Sequence, residues 1–354
     1  MDSLTQFALG AAVSTICLGK TLGPRKAALL GGVLGTLPDL DVFLPADDPV
    51  DDFVFHRGWT HSVFVHLLAA PFIGELLVRS MRLLKDHRFL VWMAVFLCLS
   101  THAIIDAMTV YGTRILWPIH ADPVGIGSIF IIDLAYTLPL LGVVIWAFKS
   151  QCWSNRLRNG VATALIVSSA YLALTVVWQA NVTNRASVIF ARAGIEAKSI
   201  FAIASPINLV WRVISLENDR YHNLYLSPFD DDLQAMIYSH PRHPELVACL
   251  RGNDAFEKLK WFSRGYYRSD LEGNQIVVSD LRMGLTPHYI FKFAIAEYDN
   301  GIARAISPKP SGGQMNVSGQ DLDWLTTRLQ GKPAIRATET PKTALNATKR
   351  HASC

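Results

Sequence analysis

"FLVWMAVFLCLSTHAIIDAMTV", residues 89–110, decides the fold. The stretch carries no formal charge before Asp106. At about 1.5 Å per helical residue it is long enough to cross the roughly 30 Å hydrocarbon core of a bilayer. His102 and Asp106 interrupt the apolar run four residues apart, so a helix puts them on one face, one turn apart. Ionisable groups at such depth cost about 2.5–3.5 kcal/mol each on insertion scales and persist mainly where they pair or bind something. A membrane-spanning helix that carries a site is therefore expected.

Working outward, the composition agrees. Of 354 residues 51% are hydrophobic and only 18% charged, with a positive mean hydropathy. That is too apolar for an ordinary soluble enzyme, yet the chain is long enough for two domains. Apolar runs fill the first half: Leu4 to Gly19, Ala27 to Leu44, Ser62 to Val78, Phe89 to Val110, Ile129 to Phe148 and Val161 to Ala180. About six spans are predicted, the first three short enough to tilt or to form a re-entrant hairpin. Asp2 replaces the basic start of a signal peptide, so the first run is read as retained.

The expected fold class is thus an α-helical multi-pass membrane domain (residues 1–180), followed by a small soluble mixed β (α+β) domain (181–307) and a flexible, largely disordered tail (308–354). Lys and Arg concentrate in the first, third and fifth loops, whereas the second is acidic with Asp47, Asp48, Asp51 and Asp52. Positive loops stay in the cytoplasm. The expected location is a bacterial inner membrane, with both termini and the C-terminal domain on the periplasmic side.

With that topology, polar residues from four segments reach the same outer depth: Asp39 and Asp41 in "GTLPDLDVF", His56, Arg57 and His61 in "FHRGWTHSVFVH", His102 and Asp106, and Asp133 one turn into the fifth span. Each has an ordinary reading alone, as a solvated loop carboxylate, a helix stop or an interfacial anchor. Their convergence favours a metal. Imidazole with carboxylate suits Zn first, then Mn or Fe. Seven candidate ligands exceed the three or four that one catalytic Zn takes, leaving room for one or two ions. Asp41 is expected to serve catalysis as well as ligation, and Arg57 to bind an anionic substrate group through its planar fork. His66 falls five residues beyond His61 and is left out of the set. Thr60 is read as a helix cap, Ser62 as a cap or a support for a ligand, and Gln6 as a residue that could support one.

"MDSLTQFALGAAV", "GTLPDLDVF", "HRGWTHS", "THAIIDAMTVYGTRILWP" and "IFIIDLAYTLPLL" together resemble the LexA-binding, inner-membrane-associated hydrolase family, also called membrane-bound metal-dependent hydrolases. The resemblance covers roughly the first 150 residues. It implies a multi-pass inner-membrane protein with a metal-dependent hydrolase site on Asp39, Asp41, His56, His61, His102, Asp106 and Asp133. Two positions depart from the family pattern: Gln6 stands where many relatives carry His, and Leu134 where Pro follows the Asp of the last motif.

Beyond Asn181, strand-like patterns dominate: "YHNLYLS", "NQIVVSDL", the alternating "YIFKFAIA", and the interrupted "FAIASPINLVWRVIS". A helix is expected around Asp232 to Tyr238. The soluble half lacks a recognisable catalytic motif, and is expected to lid the membrane site or dock a partner. His240 and His243 lie in one loop, and Cys249 and Cys354 could form one disulfide. No phosphate-binding Gly loop, Gly-x-Ser-x-Gly elbow or nucleic-acid motif occurs. The reaction expected is hydrolysis of a phospholipid or lipid-linked phosphoester at the bilayer. A proton- or ion-coupled transporter and a metal-stapled scaffold are the rival readings.

Overall fold

The computed structural model describes residues 1–206, 208–299, 301–312 and 318–340. The chain forms two compact units, one of Met1–Leu44 with His56–Val177, the other of Pro45–Phe55 with the residues from Trp178 onward.

The first unit is helical. Helix α1 (Ser3–Leu22) starts at Asp2, whose side chain accepts from the Thr5 amide. Gly23, at φ 82°, turns the chain, and Pro24 opens α2 (Pro24–Thr36). The two helices touch backbone to backbone. A Cβ on Gly10 would lie 2.3 Å from the Gly31 carbonyl, and one on Gly31 2.2 Å from the Gly10 carbonyl. Only glycine fits there. A 3-10 turn, Pro38–Phe43, follows. After α3 (Pro49–Phe55) the chain returns through a second 3-10 turn, Trp59–His61, into α4 (Val63–Ser80), capped by Ser62. Helix α5 (Arg88–Met108), an irregular segment, α6 (Leu134–Lys149) and α7 (Asn155–Arg192) complete the bundle. Its core is Ala, Val and Leu from α1, α5, α6 and α7.

Among the described residues, three helical stretches are long and apolar enough to span a membrane: Val63–Ser80, Arg82–Met108 and Asn155–Arg192. The α6 helix is apolar but has 16 residues, and α2 has 13. Six full spans are thus more than these lengths give. Helix α1 has 20 residues, but Thr, Gln, Ser and Gly dilute its apolar character, and most of it is buried against its neighbours.

The second unit is β-rich. One antiparallel sheet runs in order β1 (Ser199–Ala204), β2 (Trp211–Leu216), β3 (Arg220–Leu226), β4 (Ile237–Pro241). Helix α8 (Asp254–Phe262) leads to a second sheet made of β5 (Tyr267–Glu272), β6 (Gln275–Asp280), β9 (Lys292–Asp299) and β10 (Ile302–Pro310), in order β10-β9-β6-β5. Strands β7 (Gly284–Leu285) and β8 (His288–Tyr289) form a small hairpin. Apolar side chains of β1–β3 pack with Val182, Ala186, Ile189 and Phe190 of α7.

Several expectations change here. Asp232 to Tyr238 is a short 3-10 turn followed by β4 rather than a helix, because Tyr238 and Ile237 pair with Asn223 and Leu224 of β3. "YIFKFAIA" breaks after Tyr289, and β9 is buried on both faces from Phe293 to Ala296. The acidic second loop is not free: Asp51 is buried and pairs with Lys258 at 2.5 Å, while Phe53 packs on Phe262, Phe291 and Phe293.

The supposed tail carries regular structure in its described residues, 308–312 and 318–340. Helix α9 (Gly319–Leu329) carries a capping box at Ser318 and Asp321. Arg336 and Glu339 are buried, Arg336 on Asp321 (3.0 Å) and Glu339 accepting from Asn223 (2.8 Å) and His240 (3.1 Å). Buried charges of this kind need full pairing, which a tail composition does not reveal. Residues 341–354, and with them Cys354, lie outside the described residues. Among the described residues, Cys17, Cys98 and Cys152 are free thiols.

Candidate metal centre

His102 and Asp106 project from one face of α5, and both are buried. His61 ends the Trp59–His61 turn, and Asp39 lies in the Pro38–Phe43 turn after α2. The four residues bring one donor atom each within 4.8 Å of every other.

Hydrogen bonds fix how the rings present themselves. His102 Nδ1 donates to the Gly35 carbonyl at 2.6 Å, so the hydrogen sits on Nδ1 and Nε2 keeps its lone pair. His61 Nδ1 faces Thr60 Oγ1 at 3.0 Å and Asp41 Oδ2 at 3.4 Å, and Thr60 itself donates to Asp41 at 2.8 Å. His61 Nδ1 is therefore also the protonated nitrogen. The two Nε2 atoms then point at one another across 3.1 Å. Two lone pairs at that separation repel unless a proton or a metal cation lies between them, so the pair binds one or the other.

The carboxylates complete the polyhedron. Asp39 Oδ1 is 3.3 Å from both Nε2 atoms, and Asp106 Oδ2 is 3.4 Å from both. A tetrahedron with metal–ligand bonds of about 2.0–2.1 Å has edges of about 3.3–3.4 Å. Asp106 Oδ2 is buried and ion-paired with Arg57 at 3.2 Å but makes no well-aligned hydrogen bond, which leaves a lone pair for a metal. The donor set fits a single tetrahedral divalent ion.

Charge tells the same story. Burial alone would lower the pKa of His61, but the carboxylates of Asp106, Asp39 and Asp41 lift it to about 10. Burial would raise Asp39, and the His102 and His61 rings, donating from Nε2 when they carry a second proton in place of a metal, instead hold it well below the usual carboxylate range. Burial opposes Asp41 too, and bonds from His56 and His61 depress it in the same way.

Asp41, His56 and Asp133 stand apart from the four. In a 3-10 turn of three residues per revolution, positions 39 and 41 face different directions. Asp41 accordingly accepts from His56 Nδ1 (2.8 Å), the Arg57 amide (2.9 Å) and Thr60, and steers the back of the His61 ring. His56 is thereby drawn to Asp41, away from the donor atoms. Asp133 is the N-cap of α6, not one turn inside it, and accepts from the Tyr136 amide (3.0 Å) and Tyr171 hydroxyl (2.9 Å).

Arg57 lies at φ 59°, a strained backbone for a non-glycine residue. Its guanidinium is 3.2 Å from Asp106 Oδ2, donates to Thr109 at 3.3 Å and lies over the Tyr111 ring. His66 is bonded to the Thr60 carbonyl at 2.8 Å. His240 and His243 go to different carboxylates, Glu339 and Glu245.

Three further groups support the site, and of these only Gln6 is read from the sequence as a residue that could support a ligand. Gly35 acts through its carbonyl, which no side-chain pattern signals. Thr60 is a hydrogen-bonding link to Asp41 rather than a cap; the helix cap is Ser62. Gln6, fully buried, donates from Nε2 to Asp106 Oδ1 at 2.9 Å.

Comparison with known proteins places the helical unit. A family model described as YdjM inner membrane protein matches residues 1–182. No match was found among curated proteins or among solved structures. The chain belongs to the YdjM inner membrane protein family, and its match covers all four clustered residues.

Proposed function

From that membership and the His/Asp cluster, we propose that the chain is a membrane-bound metal-dependent hydrolase. Asp39, His61, His102 and Asp106 hold one divalent ion, Zn ahead of Mn or Fe. The observation that carries this reading is the set of five donor separations between 3.1 and 3.4 Å.

When bound, such an ion supplies Lewis acidity and lowers the pKa of water at the site. The chain's own groups do the rest. The Gly35 carbonyl and Asp41 lock the two imidazoles with their Nε2 atoms inward. Two carboxylates and two neutral imidazoles balance the charge of a divalent ion, Asp41 lies behind the His61 ring, and the Arg57 guanidinium is the cation beside the donors that can meet an anionic group. Asp39, the least buried of the four, marks the open side. A phospholipid or lipid-linked phosphoester meets these demands at a site among apolar helices.

The membrane is the bacterial inner membrane, with the second unit on its outer side. In support, Pro45–Phe55, a loop poor in Lys and Arg between helices of the first unit, folds into that second unit.

The test is elemental analysis of detergent-purified protein, wild type beside His61→Ala and His102→Ala, followed by phosphoester hydrolysis. One equivalent of metal, lost in both variants together with hydrolysis while the fold persists, is expected. Loss of fold on metal removal would make the ion a staple. Ion flux without hydrolysis would make the chain a transporter. No bound metal after reloading would overturn the site.

A further inference from the structure

The β-rich unit contains a second arrangement of reactive groups that owes nothing to the metal cluster. We propose that Ser239, His222 and Glu217 form a serine-hydrolase triad acting on a carboxylic ester.

Sheet register assembles it. His222 of β3 is the direct cross-strand partner of Ser239 of β4, so their side chains rise from the same face. Glu217 sits in the turn that joins β2 to β3, five residues before His222. His222 Nε2 is 2.9 Å from Glu217 Oε2, and His222 Nδ1 is 2.7 Å from Ser239 Oγ.

Direction follows from the partners. An ionised carboxylate only accepts, so Nε2 carries the hydrogen and Nδ1 keeps a lone pair aimed at the Ser239 hydroxyl. A nucleophile with a base in reach, and a base held by a third group, is the arrangement that activates serine. Here the two ring nitrogens have exchanged their usual duties, which the symmetry of imidazole basicity permits.

The surroundings suit the task. His222 is buried, with the Phe190 ring 6.3 Å away, whereas Ser239 is only half-buried and lies on β4, the edge strand of its sheet. The Arg220 guanidinium, exposed at the start of β3, donates to the Ser239 backbone carbonyl at 3.4 Å, so a cation lies at the same strand edge as the serine.

The chemistry balances without a cofactor. Ser239 Oγ bonds to the ester carbonyl carbon as its proton passes to His222 Nδ1. The tetrahedral adduct collapses, the carbon–alkoxide bond breaks, and the departing alcohol takes the proton from His222. Water then repeats the sequence on the acyl-serine and releases the carboxylic acid. Ser239 and His222 are the catalytic residues, and Glu217 is a positioning residue that acts through His222.

The full chain in detergent, with a chelator present to silence the metal cluster, is treated with an alkyl fluorophosphonate, and the modified residue is mapped by mass spectrometry. Modification of Ser239 is expected, absent in Ser239→Ala. His222→Ala should slow it by at least about 100-fold, with partial rescue by added imidazole, in line with the usual share of a general base. Glu217→Gln should slow it by about 10-fold or more, and Glu217→Asp should recover part of the rate. Should His222→Ala fail to fold, the Glu217→Gln and Glu217→Asp pair decides. A folded wild type left unmodified at Ser239, or one labelled as fast after Glu217→Gln, means that the three groups only tie strands together and overturns the proposal.

Discussion

The helical unit and the β unit each gather a compact set of polar side chains, by different geometric rules. In the helical unit the key pair is His102 and Asp106, four residues apart on one helix. In the β unit the key pair is His222 and Ser239, 17 residues apart and joined only by strand register. Helical spacing is written in the sequence, whereas register is written in the packing of a whole sheet. One site is therefore visible before folding is known and the other only after it.

The sharpest break between the two is expected from His102→Ala. Removing one of four donors should weaken metal binding by more than the about 10–100-fold typical of lost supporting groups. Labelling of Ser239 should be unchanged. Elemental analysis and fluorophosphonate labelling on the same sample check both halves, and any loss of labelling in His102→Ala would show that the two sets are not separate.

The reverse cut is Glu339→Ala. Glu339 accepts from Asn223, Tyr225, His240 and Arg336, all in the β unit. Leaving that buried network unpaired should cost about 3–5 kcal/mol of stability. Thermal unfolding followed by β-sheet circular dichroism should fall to lower temperature while metal content holds. Equal loss of both would mean that the units unfold as one.

How much could be read in advance follows from the same contrast. Asp39, His61, His102 and Asp106 were all legible as polar intrusions in apolar segments. Asp41, His56 and Asp133 carried the same signal, and only the 3-10 geometry of residues 38–43 and the cap of α6 separate supporters from donors. A helical membrane region followed by a β-rich unit was legible from hydropathy and strand patterning, but neither the number of spans nor that Pro45–Phe55 folds with the C-terminal unit, since that depends on Phe53 meeting three distant phenylalanines. Glu217, His222 and Ser239 gave no warning, because nothing local marks a strand pair.

A finer cut within the helical unit separates support from donation. Asp41→Asn keeps the shape of the side chain but removes the charge that steers His61, and metal affinity should fall about 10–100-fold without vanishing. Competition with a chromophoric chelator measures it. A loss as complete as that of His102→Ala would move Asp41 back among the donors.

Proton competition gives a smaller effect that is gradual with pH. Without an ion the pKa of His61 is held near 10, so at neutral pH a metal must displace its proton. Affinity should rise by about tenfold per pH unit through the neutral range and flatten as pH passes about 10. The sign for metal-free stability is opposite. The raised value makes a contribution fully present below the ordinary imidazole value of about 6.5, which is lost as pH climbs through about 10. A flat affinity between pH 6 and 8 would show that His61 has no proton to lose and is not facing those carboxylates.

The smallest expected effect bears most directly on the β unit. If the Ser239 hydroxyl serves mainly to hold strands, replacing it by alanine strands the buried His222 Nδ1 without a donor and should cost the about 1–3 kcal/mol of an unsatisfied buried group. If it serves as a nucleophile on a half-exposed edge strand, water can replace it, and the cost should stay below about 1 kcal/mol. Denaturant unfolding of Ser239→Ala beside Ser215→Ala makes the comparison. Ser215 is the other cross-strand neighbour of His222, but its hydroxyl is buried and makes no hydrogen bond, so its loss reports packing alone. A Ser239→Ala cost near that of Ser215→Ala, joined to complete loss of labelling, separates reactivity from stability at one atom. That separation is the mark by which a site differs from the scaffold around it.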